Sequence, residues 1–87
     1  MTAHDNSIPA EELCEAMHQR IAEALPGAQI QVTGGGGHFE IQVVSEAFEG
    51  LNSLKKQRLV YGAIKDLMAG DNAPIHAIDR MVTEVPG

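Results

Sequence analysis

The sequence predicts an α+β fold: a two-layer sandwich in which two helices cover one face of a three-stranded sheet, in the order αββαβ. Three observations point to it. Apolar residues recur at helical spacing in two separate segments, and they alternate at a period of two in the stretches between and after them. The third is the run Gly34–Gly37, which interrupts the first alternating stretch where a hairpin would reverse. At 87 residues the chain has room for one core.

Residues 1–9 read as a flexible leader ahead of a single domain spanning 10–85. Pro9 suits the opening of a helix, and Glu11, Glu12 and Glu15 sit where the positive end of the helix dipole favours them. Leu13, Met17, Ile21 and Ala24, with Cys14 and Leu25 beside them, give that helix an apolar stripe from about Ala10 to Leu25. Pro26-Gly27 ends it. Ile30 and Val32, then Phe39, Ile41 and Val43, alternate with polar residues and form a hairpin with one buried face, which puts His38 on the solvent side or at the tip. Ser45–Gly50 is a connection, and Asn52 or Ser53 caps a second helix reaching about Ala69. On that helix Val60, Ile64, Leu67, Met68, Tyr61 and Leu54 share one arc, while Lys55, Arg58 and Lys65 take the opposite one. After a turn at Gly70–Pro74, Ile75–Val85 has the length and branched residues of a third strand, whose pairing position the pattern leaves open.

Composition narrows the function. No run approaches the roughly 20 apolar residues of a membrane span, and the opening MTAHDN lacks the features of a secretory signal, so a cytoplasmic protein is expected. The single cysteine, Cys14, excludes an internal disulfide and any cysteine-rich metal site built by this chain alone. Net charge is −6, which opposes nonspecific adhesion to nucleic acid, yet four of the six basic residues fall between Lys55 and Lys65. No Ser/His/Asp arrangement stands out and no carboxylate has an apolar surround, so an enzyme is not indicated.

Three features are candidates for a site. The glycine run matches neither common phosphate-binding pattern, and a hairpin needs only one or two glycines, so the excess reads as a mobile tip that admits a partner beside His38. His38 and His76 lie near strand starts. Two imidazoles cannot close a structural zinc site, but they can complete a site shared with another molecule. Lys55 and Lys56 lie in a first helical turn, where cations are disfavoured by about 0.3–1 kcal/mol. With Arg58, Lys65 and Tyr61 they form either a solvated face or a surface for an anionic partner: a nucleic acid, a peptide carboxylate or an acidic protein.

The segments FEGLNSLKKQRLVYGAI (48–64) and PIHAI (74–78), with GGGGHF upstream and ALPGA at the end of the first helix, resemble the BolA family, in the branch with a histidine in the loop between strands one and two. The resemblance covers roughly residues 10–80. It implies a fold like the class II KH domain, and an adaptor that binds a monothiol glutaredoxin and shares a 2Fe-2S cluster in iron-sulfur cluster assembly and iron homeostasis. The glutaredoxin cysteine and glutathione would supply thiolates. His76, in the IHA motif, and His38, in the loop, would supply nitrogens, with the glycines giving His38 its reach. The chain alone would bind no cofactor and would be a monomer, with a homodimer as the other state.

The same family is also described as transcriptional regulators in stress response, a role in which Lys55, Lys56, Arg58 and Lys65 would meet the phosphates of DNA or RNA. The negative total charge, the scarcity of aromatics and the lack of a GXXG clamp at the basic helix oppose that role. Two departures from the family pattern are Ala63, where proline is frequent, and an acidic rather than basic tail.

Overall fold

The computed structural model describes residues 8–87, so most of the expected leader lies outside the described residues. The elements are α1 (Ala10–Ala24), β1 (Gln29–Gly35), β2 (His38–Val44), a 3₁₀ turn (Glu46–Phe48), α2 (Ser53–Met68) and β3 (Ala77–Glu84), which is the expected αββαβ order. The sheet runs β1-β2-β3. β1 pairs antiparallel with β2, and β3 lies parallel on the other side of β2. Both helices pack on one face as the second layer, α1 over β1 and α2 toward β3.

The core is the meeting of two stripes and one pleat. Leu13, Met17, Ile21 and Leu25 from α1 meet Val60 and Ile64 from α2 over Phe39, Ile41 and Val43 of β2. All are buried, and burying each such side chain stabilises the fold by roughly 1.5–3 kcal/mol relative to leaving it exposed. Ala24 proves exposed: the stripe turns inward again only at Leu25, where the helix ends.

Helix α2 begins where Asn52 accepts a hydrogen bond from the Lys55 amide at 2.9 Å, so Asn52 and not Ser53 is the cap. Its buried arc is narrower than the one the wheel predicts. Leu54 and Tyr61 are 54% and 37% exposed, because they sit at the margin of the arc centred on Val60 and Ile64, beyond the reach of the sheet. An exposed Arg20–Asp66 ion pair, with Nε at 3.0 and 2.9 Å from the two carboxylate oxygens, joins α1 to α2. Such pairs are worth at most about 1 kcal/mol.

Two segments depart from the sequence expectation in a way that matters for the site. Ile75 is buried but is not a strand residue, since the His76 and Ala77 amides both donate to the Gly37 carbonyl, at 2.8 and 3.0 Å, and the β3 ladder starts only at Ala77. The 45–50 connection is not a plain loop either. Ser45 accepts from the Ala47 amide at 3.0 Å, closing a turn that drives Phe48 fully into the core.

Phe48→Ala should therefore cost about 3–5 kcal/mol in urea unfolding. That is a large fraction of the roughly 4–13 kcal/mol available to a domain of this size. A loss under about 1 kcal/mol would mean that the connection is peripheral.

Candidate functional site

Glycines build the rim on which both candidate histidines stand. Gly34 and Gly35 are strand residues, paired with Phe39 and His38, and only Gly36 and Gly37 make the turn. Their φ values of +64° and +87° are those of a two-residue turn with both central residues left-handed, the kind that matches strand twist. Gly34 has φ +135°, and a Cβ there would sit 2.4 Å from the His38 carbonyl oxygen. At Gly37 a Cβ would meet His76 Nδ1 at 2.8 Å and Cγ at 2.9 Å. Two of the four glycines, Gly34 and Gly37, are thus required by local geometry, and the expected mobile tip is instead a tight hairpin pinned to the start of β3.

His38 opens β2 on the solvent face of the sheet, between Gly35 on β1 and Ala77 on β3. His76 immediately precedes β3, with its ring against Gly37. Because β2 and β3 are parallel, both strands start at the same rim. The structure brings the two imidazoles together there, exposed, with ring centroids 6.4 Å apart and planes at 78°. Two imidazoles sharing one ion at about 2.0–2.1 Å would bring their centroids to about 5 Å, so modest rotation closes the gap. Beside His76 runs a cleft lined by Ile8, Ala10, Leu13, Phe39, Asn72 and Pro74.

Among the described residues, no group of three or more His, Cys, Asp or Glu could hold a metal ion. Cys14 is half-buried against the core beside Val32, and burial, then the Glu11 carboxylate, raises its thiol above the ordinary range. A raised thiol is a poor thiolate donor at neutral pH. Among the described residues the rim therefore offers two imidazoles and no cysteine. That donor set fits a metal centre completed by a second molecule's thiolates.

The basic residues stand apart from this pair. Lys55, Arg58 and Lys65 are exposed along α2 and Lys56 is half-buried, while Leu54 and Tyr61 lie among the exposed ones. Lys55 and Lys65 are ten residues apart, about 15 Å along the axis, and only Lys65 lies in the last turn, nearest the rim. They make a strip with apolar side chains interleaved, not a cluster at the histidines.

Sequence reading missed Asp79, whose Oδ1 lies 3.1 Å from His38 Nδ1. It stands there because the β2–β3 register slips by one residue: Phe39 pairs with Ile78, and Glu40 with Arg80. The signal was present in the consecutive polar residues Asp79-Arg80, which break the alternation of a strand.

Two helices over a three-stranded mixed sheet, with a glycine-built rim presenting two exposed imidazoles, define a small α+β domain. Comparison with known proteins places it among its relatives. The chain belongs to the BolA-like protein family, whose sequence profile matches residues 12–84. It is 40% identical over 58 residues to the acid stress protein IbaG of Escherichia coli K12, covering 67% of each chain. Among solved structures it is similar to BolA1 from Arabidopsis thaliana, at 25% identity and a TM-score of 0.71 over 84% of this chain and 90% of that one. It is also similar to a BolA homologue from Coxiella burnetii, at 32% identity and 0.65 over 99% and 92%. No helix among the described residues is long and apolar enough to cross a membrane.

Gly37→Ala should displace the His76 ring, visible as large shifts of its ring resonances, and should destabilise the fold by about 1–3 kcal/mol. Gly36→Asn, with open space at its Cβ and a side chain tolerant of this φ, should stay within about 0.5 kcal/mol of wild type in the same unfolding assay.

Proposed function

We propose that this protein is a non-enzymatic adaptor that docks on a monothiol glutaredoxin and shares a 2Fe-2S cluster with it, in iron-sulfur cluster assembly and iron homeostasis within the cytoplasm. The observation that carries this reading is the approach of His38 and His76 on one exposed rim with no cysteine beside them among the described residues. His76 and His38 are the nitrogen ligands on this side, and the glutaredoxin cysteine and glutathione bring the thiolates. Such a cluster supplies one-electron chemistry and transferable iron and sulfide, and histidine in place of cysteine raises its potential.

The chain's own part is to hold the two rings and keep its backbone out of the way. Gly37 sets His76, the hairpin register sets His38, and the cleft next to His76 accepts apolar side chains of the docked partner. Before docking the chain is a monomer without a cofactor.

The second reading, a nucleic-acid-binding regulator, draws on the exposed Lys55, Arg58 and Lys65 with Tyr61 interleaved, and on the stress-protein name of the IbaG relative. Against it stand the net charge of −6 and the half-burial of Lys56, which leave few free cations for phosphates.

Reconstituting the cluster on glutaredoxin and glutathione should give a visible circular dichroism spectrum that changes when this protein is added. His76→Ala should abolish the change and His38→Ala should weaken it. Identical spectra for wild type and His76→Ala would refute the ligand assignment. In parallel, titration with DNA and RNA at physiological salt should give only weak binding. Submicromolar affinity that falls steeply with salt and is lost in a Lys55/Arg58/Lys65 triple alanine variant would favour the regulator.

A further inference from the structure

Asp79 occupies a position that the sheet has departed from regularity to create. Without the one-residue slip, Asp79 would stand opposite Glu40, two like charges side by side on the solvent face. With the slip, Glu40 faces Arg80 instead, and Asp79 becomes the extra residue, bringing its carboxylate to 3.1 Å from His38 Nδ1. This is the hydrogen bond that His38 makes among the described side chains.

We infer that Asp79 is a positioning residue: its carboxylate keeps the His38 proton on Nδ1 and so leaves Nε2 as the nitrogen that faces a metal. The assignment rests on the ligand reading of His38 given above. An ionised carboxylate only accepts hydrogen bonds, so the proton between the two groups belongs to the imidazole. In a neutral imidazole, a proton on Nδ1 makes Nε2 the lone-pair atom, and ligand histidines are commonly held this way by a carboxylate behind them. Nδ1 is turned toward β3 by the contact, which directs Nε2, across the ring, away from Asp79.

His38 and Asp79 side chains are 57% and 53% exposed, so the pair is a weak one. A tautomer choice needs little: about 1.4 kcal/mol already makes a tenfold preference. The hairpin and β3 fix the backbone on both sides of His38, so the carboxylate has only the ring left to orient.

The first test uses the metal-free chain. Long-range proton–nitrogen correlation spectra recorded in mildly alkaline buffer should show His38 protonated at Nδ1 with a pyridine-like Nε2. Asp79→Ala should shift the ring toward the Nε2–H form. Asp79→Asn, whose amide oxygen still accepts, should retain most of the Nδ1–H form, and the His76 signals should stay put in both. A wild-type His38 protonated mainly at Nε2, or one indifferent to Asp79→Ala, overturns the inference.

The second test measures cluster retention on dilution of the glutaredoxin complex, where Asp79→Ala should lower affinity about tenfold. If the tautomer responds as described but retention is unaffected by both Asp79→Ala and His38→Ala, the ligand reading of His38 fails. Asp79's role toward the metal then falls with it, while the tautomer assignment stands.

Discussion

One carbonyl joins the two halves of the site. Gly37 O accepts from both the His76 and Ala77 amides, and this pair of hydrogen bonds ties the tip of the β1–β2 hairpin to the first residues of β3. Everything at the rim depends on that tie. It sets where the parallel ladder starts, it seats the His76 ring on a residue that has no side chain, and it removes freedom from a turn that would otherwise be loose. A larger residue at Gly37 would push against the ring that it supports.

The rest of the fold serves to make that join possible. Parallel strands need a long crossover, and α2 provides it, leaving β2 through the turn anchored by Phe48 and returning toward the rim behind Leu67 and Met68. The helix capped by Asn52 buries Val60 and Ile64 against the same sheet face that α1 covers with Met17 and Ile21. Packing on one face leaves the other face of the sheet to solvent, where His38, Glu40 and Arg80 lie. The layer that gives stability and the solvent face that carries His38 are thus on opposite sides of the sheet.

Much of this was legible beforehand. The element order, the aliphatic core and the family follow from two helical stripes, a period-two hairpin and the KKQRLVYG and IHA segments, because periodicity and local motifs are written in neighbouring residues. The position of β3 was not legible, since strand pairing is decided by contacts between residues far apart in sequence. That gap explains the error over the glycines. Without β3 in place Gly34–Gly37 looks like surplus freedom; with it, Gly37 has the His76 ring against it and Gly34 the backbone of Phe39. Tyr61 and Leu54 were misplaced for a different reason, because a helical wheel gives angles but not how far the opposing sheet extends.

The parallel pairing of β2 with β3 also gives the two imidazoles an order in time. Their rim closes a loop that spans the 3₁₀ turn and the whole of α2, and such distant closures lag behind local helices and hairpins as a chain folds. The juxtaposition of His38 and His76 exists only in the finished fold.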